Sequence, residues 1–142
     1  DSSAVQHQLC NVTQIRSTSD AFAALLNDGS VVTWGNPANG GDSRKVQDRL
    51  VNVSALRGTA SAFAALCSGG RVVTWGHSRS GGDCQKVQSE LFDVIEIRAT
   101  FGAFAAIRRD GRVVAWGNHN HGGSVPQPSS SRLALCDVRQ IR

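Results

Sequence analysis

One fifteen-residue phrase is written three times at a fixed interval, and few folds accommodate that. It reads AFAALLNDGSVVTWG at Ala21–Gly35, AFAALCSGGRVVTWG at Ala62–Gly76 and AFAAIRRDGRVVAWG at Ala103–Gly117, each copy 41 residues after the last. A fixed period of 20–50 residues marks a solenoid, a propeller or an array. Units of that size cannot bury their own apolar faces and must stack on neighbours.

The phrase itself predicts a β-hairpin. Ala-Phe-Ala-Ala-Leu/Ile is a short apolar run. Asp28-Gly29, Gly69-Gly70 and Asp110-Gly111 are turn dipeptides that tolerate positive φ. Val-Val-Thr/Ala-Trp then supplies β-branched and aromatic residues suited to a pleated, half-buried surface. Gly35, Gly76 and Gly117 punctuate the end of each run. Alanine favours helix, but the turn that follows within a few residues leaves any helix too short to stand.

Aligned on the phrase, the chain divides into repeats 1–41, 42–82 and 83–123 of a single repeat domain spanning 1–142, with a partial fourth repeat at 124–142. Each repeat carries Leu-x-(Asn/Asp)-Val-x-x-(Ile/Leu)-Arg, at Leu9–Arg16, Leu50–Arg57 and Leu91–Arg98, read here as a strand. A further short strand is expected around Val5, Val46 and Val87. The stretch Ala134–Arg142 spells the same half-unit as Gln8–Arg16, after a loop holding Pro126, Pro128 and Ser129–Ser131. Three or four short strands per 41 residues predict an all-β chain of three to three-and-a-half propeller-type blades, partial or shared with a partner. A closed three-fold β structure is the alternative. Open blade edges invite pairing, so self-association through them is expected.

Composition narrows the partners. Charged residues make up 18% of the chain, below the ~25% of an ordinary soluble domain, which fits a surface partly covered by another protein. The net charge is +4, carried by 13 Arg and only Lys45 and Lys86, with no like-charge run longer than Arg108-Arg109. Nucleic acid is therefore not expected as a partner. No apolar stretch is long enough for a membrane span. The sequence holds no methionine, so Asp1 is expected to follow processing or trimming. Cys10, Cys67, Cys84 and Cys136 form no Cys-x-x-Cys pair. They read as small buried hydrophobes, with one or two disulfides as the alternative.

The chemistry-bearing candidates lie mostly between the phrases. Arg16, Arg57, Arg98 and Arg142 recur at one repeat position. They either bond neighbouring carbonyls or line a rim that meets an acidic partner. The loop tips, with Asn36 and Asn39, His77 and Arg79, and His119 and His121, vary on a constant scaffold, which is where recognition sits. Phe22, Trp34, Phe63, Trp75, Phe104 and Trp116 read as the structural repeat core, with an aromatic ligand platform as the rival. The Gly-x-x-x-x-Gly loops lack a following Gly-Lys-Ser/Thr, so they do not cradle phosphate. No nucleophile sits beside a base and no carboxylates pair at recurring positions. The chain is therefore read as having no catalytic residues, no metal site and no cofactor. Asn11-Val12-Thr13 and Asn52-Val53-Ser54 spell glycosylation acceptors but share one repeat position, and are read as repeat grammar.

Asp28-Gly29-Ser30-Val31-Val32-Thr33-Trp34-Gly35 with Gly40, and its two echoes, resembles the regulator of chromosome condensation repeat in a short, 41-residue version. The resemblance runs nearly the whole chain. Before the second strand, the family's Gly-x-x-His is replaced by Thr18–Ala21, Thr59–Ala62 and Thr100–Ala103. It implies a β-propeller with a binding role. The expected function is a non-catalytic protein-binding scaffold, an accessory subunit of a larger complex. One form of this is a peripheral subunit of an organellar (plastid) photosynthetic membrane assembly such as a photosystem. The rivals are a GTPase-regulating or ubiquitin-ligase recruiting module of a longer chain, and a small-ligand or sugar-binding repeat.

Overall fold

The computed structural model describes residues 2, 3 and 5–122. The expected partial repeat at 124–142, with Arg142 and Cys136, lies outside these residues. Among these residues, nine strands form three antiparallel sheets in simple sequential order. The first holds β1 (Val12–Ser17), β2 (Ala21–Leu26) and β3 (Val31–Gly35). The second holds β4 (Val53–Gly58), β5 (Ala62–Cys67) and β6 (Arg71–Gly76). The third holds β7 (Val94–Ala99), β8 (Ala103–Arg108) and β9 (Val113–Gly117). No described helix is long and apolar enough to cross a membrane.

The expected hairpins are β2–β3, β5–β6 and β8–β9. Their register sets Phe22 opposite Trp34, Phe63 opposite Trp75 and Phe104 opposite Trp116. Directly opposed residues on one face are close enough to touch. The rings accordingly pack with centroids 5.4, 5.5 and 5.5 Å apart.

The first strand of each sheet enters through a left-handed residue: Asn11 at φ 59°, Asn52 at 54° and Asp93 at 53°. Asn and Asp visit that region more readily than other non-glycine residues because their short polar side chains bond locally. A bulge follows, between Val12 and Gln14, Val53 and Ala55, and Val94 and Glu96. At its extra residue the Thr13 hydroxyl donates to the Leu25 carbonyl at 3.1 Å, and Ser54 donates to that of Leu66 at 3.2 Å. The Asn-Val-Thr/Ser spelling thus has a backbone explanation in both copies.

One expectation is corrected. The segments near Val5, Val46 and Val87 are not strands. They are short 3-10 turns at Gln6–Gln8, Gln47–Arg49 and Gln85–Glu90. A single β-branched residue beside glutamines does not make a strand when nothing pairs with it. Val46, at φ −117° and ψ 2°, instead drops its side chain into the core beside Leu50.

The core lies between sheets. Ala21, Ala23, Leu25 and Val31 of the first sheet meet Val53, Leu56, Phe63 and Trp75 of the second. Ala62, Ala64, Leu66 and Val72 of the second meet Val94, Ile97, Phe104 and Trp116 of the third. One face of each sheet is small and the facing one is large, so the layers interdigitate. A backbone relay ties the sheets at one end, with Ser19 N–H to the Ala60 carbonyl and Ala60 N–H to that of Phe101, both at 2.8 Å. Cys67 and Cys84 are buried free thiols and Cys10 is an exposed one. Burial pushes the Cys67 and Cys84 thiols above their ordinary value.

Candidate functional site

The inter-sheet joint has three parts, each made twice. The first is a glycine turn receiving a phenylalanine. Gly40 ends the turn Pro37–Asn39 at φ 102°, and a Cβ placed there would lie 2.5 Å from the Phe63 ring. Gly81 does the same for Phe104, at 2.4 Å. Only glycine satisfies both the left-handed backbone and that close approach. The second is an indole N–H. Trp75 Nε1 donates to the Gly40 carbonyl and Trp116 Nε1 to that of Gly81, each at 3.1 Å and buried.

The third part is the arginine column. Arg16 Nε donates to the Leu56 carbonyl at 3.2 Å and Arg57 Nε to that of Ile97 at 3.0 Å. Each guanidinium also reaches the carbonyl before its own residue: Arg16 Nη1 bonds Ile15 at 3.1 Å and Arg57 Nη1 bonds Leu56 at 2.8 Å. Burial first, then the charges of Arg16 and Arg98, pushes the Arg57 guanidinium below its ordinary value. Arg98 differs. Its Nη2 bonds Glu96 Oε1 at 2.8 Å, while its buried Nε has no partner. The structure therefore places Arg16, Arg57 and Arg98 in one line across the stack; Arg142 lies outside the described residues.

Among the described residues, no sheet lies against the receiving face of the first sheet. Ile15 is 51% exposed, Phe22 42% and Val12 36%. Their counterparts Leu56, Phe63 and Val53, and Ile97, Phe104 and Val94, are at most 5% exposed. Trp75 and Trp116 are buried as the repeat core; Trp34 is only half-buried, stacked on Phe22. The same residues that form a core in repeats two and three form a surface in repeat one. The closed three-fold alternative is not formed, because a third sheet seated on the first would cover Phe22. The ligand-platform reading also loses its repetition, since Trp75 and Trp116 have their faces covered and their N–H groups bonded.

The loop tips are each held by a side chain of their own turn. Asn36 accepts from Ala38 N–H at 3.0 Å and donates to Asp20, which Asn39 also bonds. His77 Nδ1 accepts from Arg79 N–H at 3.2 Å, and Asn118 accepts from Asn120 N–H at 2.9 Å. These bonds hold the Asp20 carboxyl below its usual range, with Asn39 the larger cause and Asn36 the lesser. Arg79 and His119 are exposed at their tips; His121 closes the third turn, and its side chain lies outside the described residues. Sequence reasoning missed the exposed row Val12, Ile15, Phe22. Its only signal was position: these residues belong to the first copy.

The stacked three-stranded sheets define the chain as an all-β repeat protein built of partial propeller blades. No family model matches the chain and no curated protein matches it. Solved structures do. Human WBSCR16 is similar at 24% identity and TM-score 0.53 over 75% of this chain and 34% of that one. Yeast RCC1 (Prp20), solved bound to Kap60, is similar at 17% identity and TM-score 0.53, over 75% and 29%. The ectodomain of the Physcomitrella patens receptor kinase CR4 is similar at 16% identity and TM-score 0.56, over 81% and 31%. The fold is thus consistent with the RCC1-like propeller that the repeat spelling implies. The chain spans about a third of the length of each.

Proposed function

We propose that this chain is a non-catalytic protein-binding scaffold, with the receiving face of the first sheet as its docking surface. One observation carries the reading: Val12, Ile15 and Phe22 are exposed where their counterparts in both other sheets are core. A contiguous apolar row on a rigid sheet marks an interaction site. The fold of yeast RCC1 (Prp20), a protein solved in complex with Kap60, supports the class of function. Among the forms this scaffold could take, a photosystem subunit draws on the repeat spelling alone. The open face favours association through blade edges.

The test is retention of partners. Tagged wild-type chain and Phe22→Asp are recovered from the cells that make the chain. Proteins held in near-stoichiometric amount by the wild type and lost from the variant are expected. Identical retention by both would remove the first-sheet face from the reading.

A further inference from the structure

We infer that the hairpin-turn end of the third repeat is a second docking surface, and that its partner is a protein segment carrying acidic and apolar side chains together. This surface is separate from the first-sheet face and does not depend on it.

The repeat itself supplies the reference. Thr13 and Ser54 sit at the bulge and donate their hydroxyls to the carbonyls of Leu25 and Leu66. The same position in repeat three is Ile95, which has no hydroxyl to give and stands 42% exposed. Cys10 and Val51 precede the left-handed entry residue; repeat three puts a phenylalanine ring there, Phe92, 47% exposed. Leu26 and Cys67 end the second strand of their sheets, and repeat three ends it with Arg108. Asn27 and Ser68 follow those residues, and repeat three has Arg109. Four departures thus fall at one end of one sheet. None of them improves packing: two expose apolar side chains, and Arg108 Nε is buried without a partner among the described residues. Variation on a constant scaffold is where recognition sits.

The geometry gathers these residues. Arg109 N–H donates to the Asp93 carbonyl at 2.8 Å, which holds the third turn against the strand entry carrying Phe92. The Arg108 guanidinium lies 3.9 Å from the centre of the Phe92 ring, and its Nη2 reaches Asp110 at 3.0 Å. Asp110 therefore holds Arg108, and Arg108 holds the ring. The turn of the second hairpin lies alongside: a Cβ on Gly70 would fall 2.7 Å from Asp93 Cα, and Arg71 follows that glycine. Arg71, Arg109 and Arg112 are exposed around this centre. Asp110 is engaged by Arg108 and Arg112, which leaves Asp93 beside them. The result is an aromatic ring and an aliphatic side chain within a positive rim.

A positive rim asks for carboxylates, and the apolar centre asks for apolar side chains between them. A phosphate backbone fits less well. Asp93 and Asp110 stand among the cations, and Arg108 already covers one face of the Phe92 ring on which a base would stack.

Fluorescence anisotropy of a labelled glutamate–tyrosine copolymer, titrated with the full chain, tests this. Wild type is expected to bind it, and to bind labelled polyglutamate about tenfold more weakly because the apolar part is missing. Two variants write repeat two into repeat three: Phe92→Val, and Ile95→Ser with Arg109→Ser. Those residues already stand at these positions in the second sheet, so the circular dichroism melt is expected to hold. Each is expected to weaken copolymer binding about tenfold. Arg112→Glu, on a side chain 65% exposed, is expected to do the same and to reduce the dependence on salt. It decides the matter if a repeat-two variant melts early. Phe22→Asp is expected to bind the copolymer as wild type does.

A wild type that ignores the copolymer overturns the inference. So does equal binding of polyglutamate, phosphatidylserine vesicles or single-stranded RNA, which would make the surface a general anion or lipid site. Repeat-two variants that fold and bind as wild type overturn it too. Loss of copolymer binding in Phe22→Asp would move the site to the first sheet.

Discussion

The indole N–H of Trp75 donates to the carbonyl of Gly40, 35 residues earlier in the chain, at 3.1 Å. That bond joins the end of one repeat's loop to the aromatic stack of the next. The glycine is held there by its own backbone and by the Phe63 ring. Stability and binding both follow from how often this joint is made.

Glycine substitution should separate the joints from the free end. Gly40→Ala and Gly81→Ala place a Cβ within 2.5 Å of a buried ring as well as straining a left-handed residue. Overpacking of about 1–3 kcal/mol is expected on top of about 1–2 kcal/mol of backbone strain. Gly122→Ala carries the strain alone, because nothing lies within 4 Å. Urea unfolding should rank Gly122→Ala as the milder change by at least the overpacking contribution.

Arginine in the column is more than a charge. Arg57→Lys keeps the charge but loses the fork that reaches the Ile97 and Leu56 carbonyls together. A loss of about 1–3 kcal/mol is expected for either Arg57→Lys or Arg57→Ala, since hydrogen bonds to charged groups are worth about that. A lysine variant as stable as wild type in urea would show that the carbonyl contacts contribute little.

The buried thiols make stability depend on alkaline pH. Burial raises the Cys67 and Cys84 thiols above their ordinary 9.0, so the unfolded chain ionises first as pH rises. Their contribution is fully present below pH 9.0 and is lost as pH climbs through the higher folded values. The midpoint of unfolding should fall above pH 9 and fall less in Cys67→Val/Cys84→Val. Iodoacetamide on the native chain should modify the exposed Cys10 well before either buried thiol.

Much of this architecture is legible in the sequence. The hairpins could be read because Asp-Gly turns, Val-Val-x-Trp runs and closing glycines are local signals, and local residues decide them. The turns at Gln47–Arg49 and Gln85–Glu90 read as strands in the sequence because Val46 before the first and Val87 within the second carry the same β propensity whether or not a neighbour pairs with them. The left-handed Asn52 hid inside a spelling that also fits a glycosylation acceptor. The arginine ladder shows in the sequence as Arg16 and Arg57 at one repeat position, read there as bonding neighbouring carbonyls, and the bonds to Leu56 and Ile97 are of that kind; the 40-residue offset that selects each acceptor has no local pattern. The open face is the least legible feature. Phe22, Phe63 and Phe104 stand in nearly identical phrases, and only the place of each repeat in the stack separates surface from core.

The central claim is that one joint is made twice and left open at the first sheet. Urea unfolding of Phe22→Ala, Phe63→Ala and Phe104→Ala, at a concentration low enough to keep the chain monomeric, tests it most directly. Phe63→Ala and Phe104→Ala should each lose about 3–5 kcal/mol, the range for a buried phenylalanine. Phe22→Ala, with its ring 42% exposed, should lose no more than about 1 kcal/mol. Equal losses at all three positions would mean that Phe22 is as buried as its counterparts, and that the face described here as open is closed.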